Sequence, residues 1–577
     1  MRVRTQNASR AAKGYALATV MVFGGISFLI LVGAISWTSA NANLVDRNNQ
    51  YFVSVAAAEA ATEKVVAEIS MDFQKQGPVW VSSKTLTYRT RIPQPSENGL
   101  WSNYRFSNGR GRDDETRVEL ITPWGISPLL SQYEGLLGYA ATYQIVSNAR
   151  ELDARSDIIG AVQQDVQLAT IPIFQFAIFY NMHLEINPGP NMTVKGRVHS
   201  NGHIYSQPGA TLEFKGDVTA VHDINHFRMP GDPTSPGGGT IIYRGQHDGG
   251  KSSLNLPIST DNSPDSVRQI VDIPPSGESA SSALGQQRFY NKADLVILVG
   301  DTGVEARNGA LAPVSGAVTL NWTGAGGISS FVRTNVSFYN KREGKMVKTT
   351  EIDVAQLGAW NTTGNPLKTA LGRDVNSIYI VDQRSQTGGT EPGVRLVNGQ
   401  TLPSKGLTVA TPDPLYVKGH YNARGSALGT SDTSNTRPAA LIGDSINILS
   451  GNWNDANSGL GYSSRNATPT TVNAAFLAGI VPTGNGNYSG GVENFPRFLE
   501  NWDGMNFTYN GSMIVMFPSK FSIAPWKAPG SSFGVYGAPV RNWNFDVNFL
   551  DPNRLPPGTP AVRTMIRGKW TNTAPNT

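Results

Sequence analysis

Histidines are the first residues in this sequence whose type and spacing suggest chemistry. Six of the seven fall between His183 and His247, and two pairs are spaced i, i+4: His199 with His203, and His222 with His226. On a helix that spacing would put both rings on one face, where they could share a zinc ion. But Ser200-Asn201-Gly202 between the first pair is a turn sequence, and the chain has no Cys to complete a ligand set. The histidines are therefore expected to be exposed turn residues, with no metal and no cofactor. Asp301, Asp413 and Asp444 sit beside Gly, Pro or Ser, which is ordinary turn chemistry. Glycan hydrolysis needs two carboxylates held about 5 to 10 Å apart, and no acid pair stands out for it. An enzyme is not expected. Trp453, Trp502, Trp526, Trp543 and Trp570 gather late in the chain. They could form a platform on which sugar rings stack, or serve as core and tail staples.

The elements that would carry these residues are mostly strands. Met192-Thr193-Val194-Lys195-Gly196-Arg197-Val198 aligns with Leu212-Glu213-Phe214-Lys215-Gly216-Asp217-Val218 after 20 residues, and Ile204 aligns with Ile224. A short strand, a Gly corner and a second short strand at that period predict the coils of a β-solenoid. In this alignment His199 falls on Thr219 and His203 on Asp223, so the histidine pairs do not superpose. Leu415–Asn422 and Ala440–Leu449 echo the pattern. An antiparallel β-sandwich is the alternative. Gly and Pro, at 61 and 35 residues, supply many turns, and charged residues are only 16% of the chain.

Between the echoes, residues 227–405 read as an inserted α+β lobe. Pro230–Gly239 and Asp261–Gly285 are rich in Gly, Pro, Ser and Asp. Ala293–Val299 and Ser377–Asp382 read as strands, Ser337–Lys345 as a strand entering a hairpin, and Glu351–Leu357 as a short helix. Val472–Ile480 and Val492–Trp502 read as helices, Gly511–Phe517 as a strand, and residues 525–577 as a Pro- and Trp-rich tail wrapping the body.

All of this follows one apolar stretch. From Gly14 to Trp37 there is no charged residue, enough to cross roughly 30 Å of hydrocarbon as a helix. Arg2, Arg4, Arg10 and Lys13 precede it without an acid, which predicts a cytoplasmic N-terminus and a head outside. These four residues account for most of the formal net charge of +5, so nothing in the later charge balance points to nucleic acid. Three readings of the stretch are open: a secretory signal with a cleavage site at Thr38–Ala42, a plain membrane anchor, and a prepilin segment. Lys13-Gly14 followed at once by Tyr15-Ala16-Leu17 has the order of a prepilin leader, in which a dedicated peptidase cuts after Gly and leaves the apolar segment on the mature chain. No Gly or Pro interrupts the sequence from Ser36 to Gln76, and apolar positions recur near helical spacing at Val55, Ala58, Val65, Val66 and Ile69. One helix from Tyr15 to Gln76, roughly 90 Å long, is expected.

On Gly14, the apolar run, Asp46-Arg47-Asn48 and Ala56-Ala57-Ala58-Glu59-Ala60-Ala61, roughly the first 75 residues resemble the N-terminal domain of PilX-like type IV pilus assembly proteins. The texture of the later chain resembles large bacterial proteins with such N-termini. The resemblance implies processing between Gly14 and Tyr15, a bacterial inner-membrane protein with a single pass, and partners among other pilins or pseudopilins, prepilin peptidase and, before assembly, lipid. Major pilins carry Glu five residues into the mature chain. Here that residue is Thr19, which implies a minor subunit of a type IV pilus or related secretion filament, acting in assembly or surface adhesion. The alternative is a membrane-anchored glycan-binding protein with no filament role. The expected fold is mainly β with a long N-terminal α-helix, a β-solenoid-like or β-sandwich head and a small α+β insertion. Its expected segments are a leader (1–14), the helix (15–76), a β-rich head (77–226), the inserted lobe (227–405) and a β-rich return with the C-terminal region (406–577).

Overall fold

The computed structural model describes residues 13–484 and 486–574. Arg2, Arg4 and Arg10 of the leader lie outside the described residues, as does the side chain of Lys13. One helix, α1, spans Lys13–Gln76, as the unbroken run predicts. Gly77 ends it with φ +86°, a conformation that favours glycine, and its N–H bonds back to the carbonyls of Asp72 and Phe73 (3.3 and 3.1 Å). Pro78 follows and starts a short helix, Pro78–Ser83.

The second half of α1 lies on a five-stranded antiparallel sheet. The order is Tyr104–Ser107, Leu137–Glu151, Ile159–Pro172, Ala561–Asn572, with Arg117–Pro128 on the outer side of Leu137–Glu151. Val65, Val66, Ile69 and Phe73 pack with Val118, Tyr143, Ile145, Val166 and Leu168, and Val55, Ala58 and Ala61 pack with Ala149 and Val162. The expected C-terminal wrap is thus a strand that closes the edge of the sheet carrying the helix.

The rest of the head is organised on a twelve-stranded sheet. The 20-residue repeat appears there as register. Leu212 pairs with Met192, Phe214 with Val194, Val218 with Val198 and Ile224 with Ile204, all in parallel. Each turn of chain places one strand on each of three faces: Ile178–Tyr180, Leu184–Glu185 and Met192–Val194, then Val198–Ser200, Ile204–Tyr205 and Leu212–Phe214. Ile178, Val198 and Val218 share one buried cluster with Leu184, Ile204, Val194 and Phe214. Parallel pairing at a fixed register sets this body apart from the antiparallel sandwich also open to the sequence.

The two ends of the stack come from distant parts of the chain. Leu295–Val299, Ser377–Asp382, Leu407–Ala410, Ala439–Gly443, Ala475–Ile480 and Met513–Pro518 pair in parallel, in that order. The last of them pairs with Ile178–Tyr180 (Met513 with Ile178, Val515 with Tyr180). The 226/227 and 405/406 boundaries therefore fall inside one sheet. The segment read as an inserted lobe contributes five strands to it, His247–Asp248, Leu295–Val299, Val304–Arg307, Thr319–Leu320 and Ser377–Asp382, with the helices Val354–Thr362 and Pro366–Leu371 carried between the last two.

Two local expectations are corrected. Val472–Ile480 lies in strands (Thr470–Asn473 and Ala475–Ile480), and Val492–Trp502 holds a single 3-10 turn, Val492–Asn494, and a strand, Arg497–Phe498. Their apolar residues mimic helical spacing because both sides of these strands are buried, so no polar alternation marks the period of two. Asn473, Asn510 and Asn544 occupy equivalent positions on adjacent strands. Their amides form a ladder, with Asn510 donating to Asn473 (2.7 Å) and Asn544 to Asn510 (3.1 Å).

Candidate functional site

The first half of α1 is the most unusual surface of the molecule. Every residue from Tyr15 to Asn49 is exposed, including Leu29 at 72%, Phe28 at 65% and Trp37 at 70%. Among the described residues one helix is long and apolar enough to cross a membrane, and it is this one. An exposed run of such side chains is unstable in water. It needs lipid, or the apolar surface of other chains.

Burial begins at Ser54, where the sheet takes over. Its side chain donates to the Ile158 carbonyl (3.2 Å), and Thr62 donates to the Ser147 hydroxyl (3.0 Å). The approach is closest at Gly160, where an added Cβ would stand 2.3 Å from the Val55 nitrogen. At the far end Arg563, on the C-terminal strand, donates to the carbonyls of Phe73 and Gln74 (3.2 and 3.1 Å), and the Gln74 amide donates to the Arg563 carbonyl (2.9 Å). A cation on the last carbonyls of a helix is the favourable sign for its dipole. Arg567 adds a two-pronged pair with Glu63 (2.7 Å for one prong). Its hydrogen bond holds the Glu63 carboxyl below its usual range.

Gly14 and Tyr15 lie in the first turn of α1. Thr19 is exposed, and its hydroxyl donates to the Tyr15 carbonyl (2.7 Å). The group is satisfied within its own helix and offers no charge to a neighbour.

His183, His222, His226 and His247 are exposed, as expected, but His199 and His203 are not. His199 is fully buried rather than exposed. Its ring stacks on Phe179 (5.5 Å between centroids) and meets the Thr219 hydroxyl (2.8 Å) and the Asn201 amide oxygen (3.0 Å). Burial lowers its pKa to about 4. His203 stacks instead between His183 and His222 (5.3 and 4.8 Å). Its Nδ1 accepts from the Asp223 N–H (3.1 Å), and His183 Nδ1 accepts in the same way from the His203 N–H (3.0 Å). The pairs at i, i+4 are thus split by the strand geometry, and their partners lie one turn of chain away. Among the described residues no group of three or more His, Cys, Asp or Glu is placed to hold a metal ion.

The acids divide as well. Asp301 is an exposed turn residue bonded to Ser385. Asp413 and Asp444 are buried. Asp444 pairs with buried Arg268 and accepts the N–H groups of Lys520, Phe521 and Ser522. Asp413 accepts the Asp382 N–H (2.9 Å), and burial, reinforced by Asp382 and Asp444, raises its pKa to about 8. Of the tryptophans, Trp453 and Trp502 are core residues and Trp570 is exposed at 46%. Trp526 and Trp543 border a common cleft.

Two short motifs went unread in the sequence. Gly245–Ser252 has the spacing of a phosphate-binding loop and Gly530–Gly534 that of a nucleophile elbow. Both motifs need a strand leading straight into a helix. Residues 245–252 instead carry the strand His247–Asp248 and run on without helix to Pro264, and 530–534 is a turn.

No family model matches the chain, and no curated protein matches it. Among solved structures it is similar to the competence-associated pilin ComZ from Thermus thermophilus, at 10% identity and a TM-score of 0.29, over 91% of this chain and 97% of that one. At that score the likeness carries no weight on fold or function.

Proposed function

We propose that the chain is a minor, pilin-like subunit of a type IV pilus or related secretion filament, with a structural rather than catalytic role. The observation that carries this reading is the division of α1. A single unbroken helix presents a charge-free, exposed stretch from Tyr15 to Val45 and seats its second half on an antiparallel sheet. The first half needs lipid before assembly and other apolar helices after it, while the second half joins it rigidly to the head. A basic leader, Gly14 and an apolar Tyr15-Ala16-Leu17 start fit cleavage by prepilin peptidase between Gly14 and Tyr15. The self-satisfied Thr19 fits a subunit that does not repeat along a shaft, since it offers no charge to the neighbouring chain's new N-terminus. The stacked parallel turns are read as a β-solenoid projecting from the filament, as in a PilX-like protein with an enlarged head that serves assembly or adhesion.

Mass spectrometry of the mature N-terminus, with and without the host's prepilin peptidase, tests the reading. A chain starting at Tyr15 only when the peptidase is present is the expected result, and Gly14→Leu should abolish it. A start near Met1 in both strains would favour the second reading, a membrane-anchored binding protein. A start near Asn43 would mean a secreted head. The second reading has its own support in the cleft bordered by Trp526 and Trp543.

A further inference from the structure

A cavity of about 950 Å³ opens on the face where the first turn of the stack meets the last. One wall is Asn187–Thr193, from the first turn, and the other is Ala538–Asn544, at the end of the second segment. The loops at 429–431 and 488–494 and Trp526 complete it. It therefore exists only where the two chain segments join, at the upper end of the roughly 300–1,000 Å³ usual for ligand sites.

Its lining is specific in kind. Trp526, Trp543 and Tyr488 contribute aromatic surface, with Tyr488 set edge-on to Trp526 (5.4 Å between centroids). Amides and hydroxyls are the commonest of the remaining side chains, beside several prolines and a few charged groups, with Asn191 and Asn542 exposed at the rim. Buried polar atoms of the lining residues lack partners: Trp543 Nε1, Thr508 Oγ1 and Arg541 Nε.

The cations present do not form a phosphate track. Arg228 is paired with Asp232 (3.1 Å), Arg541 donates to Asn494 (2.7 Å) and Lys195 to Asn544 (2.8 Å). Glu493 stands in the same wall, its carboxylate accepting from the Tyr488 hydroxyl (3.0 Å) and the Asn187 N–H (3.2 Å). Backbone phosphates would meet this carboxylate and few free cations, unlike a nucleic-acid channel. Flat aromatic faces combined with uncharged amides and hydroxyls suit pyranose rings, whose C–H faces stack while their hydroxyls donate and accept.

We propose that this cleft binds an oligosaccharide, with rings stacked on Trp526 and Trp543 and hydroxyls bonded by the Asn and Thr side chains. The proposal does not depend on the filament reading.

Isothermal titration of the detergent-solubilised full chain would test it. The probes are cello-, chito- and maltohexaose, hexagalacturonate and a thymidine oligonucleotide. At least one saccharide is expected to bind, with affinity falling about tenfold or more in Trp526→Ala and in Trp543→Ala. The rim variant Asn191→Ala/Asn542→Ala should also weaken binding with an unchanged thermal unfolding curve, which keeps the test valid if a tryptophan variant misfolds. No heat from any saccharide, or binding unaltered by all three variants, would overturn the proposal. Binding of the oligonucleotide without any saccharide would replace it with a nucleic-acid site.

Discussion

Gly160 shows how much one missing side chain decides. Its Cα faces the backbone of α1 so closely that any Cβ would lie 2.3 Å from the Val55 nitrogen and 2.5 Å from the Ser54 carbonyl carbon. Both obstacles are backbone, so neither can rotate away. Gly160→Val should lift the helix from the sheet and cost about 1–3 kcal/mol, the usual penalty of overpacking. A lowered thermal midpoint, with faster proteolysis near Ser54, is the expected readout; an unchanged midpoint would mean that the contact is dispensable. Asp413 carries a second residue-scale prediction. Its folded pKa of about 8 lies above the unfolded value of about 3.9. The folded state therefore holds a proton that the unfolded state releases, and the contribution to stability is lost as pH rises toward 8. Burial also raises Glu391, Glu493 and Glu500 to about 7, with the same sign. His199, lowered to about 4, acts oppositely, but only below its unfolded value of about 6.5. Above pH 6.5 or so the carboxyls dominate, opposed only near the top of the range by Lys292, which burial lowers to about 8, so the thermal midpoint should fall between about pH 6.5 and 8. Asp413→Asn should flatten that fall, and an equal slope in the variant would refute the assignment.

At the scale of elements, α1 is one helix in two environments. Its seated half is held by apolar packing, with the surface ion pairs adding little. Ile69→Ala removes a wholly buried side chain and should cost about 2–5 kcal/mol. Arg567→Ala breaks an ion pair whose partners are 51% and 43% exposed, which should cost about 1 kcal/mol or less. Urea unfolding of both variants checks the order, and a larger loss for Arg567→Ala would reverse it. The same packing explains which elements were legible. The helical period at Val55, Ala58, Val65, Val66 and Ile69 is one-sided because only one face of α1 meets the sheet. Thr470–Asn473 and Ala475–Ile480 are buried on both sides, so their sequence carries no alternation and reads as well for helix as for strand.

The whole molecule depends on a junction between distant segments. Met513–Pro518 pairs with Ile178–Tyr180, and the Asn181 N–H bonds the Val515 carbonyl (2.8 Å). Neither part of the stack has a finished end without the other. Val515→Pro, which removes a donor from an interior strand, should therefore unfold turns 178–248 and 407–518 in one transition, at lower denaturant than the native chain. Two separate transitions, followed by hydrogen exchange in each segment, would show that the junction is not cooperative. The sequence by itself determined what is local and periodic. The apolar run fixes a helix, Gly77-Pro78 ends it, and the 20-residue spacing of Val198 and Val218 fixes the register of neighbouring turns, because each of these signals lies within a few dozen residues. Only the tertiary structure decided that residues 295–299 and 377–382 extend the same sheet, that His199 is buried while His203 stacks on other turns, and that Trp526 and Trp543 share a cleft with Asn191. Those pairings join positions far apart in the chain, and they are selected by the burial of complementary faces, which leaves no mark at any fixed spacing.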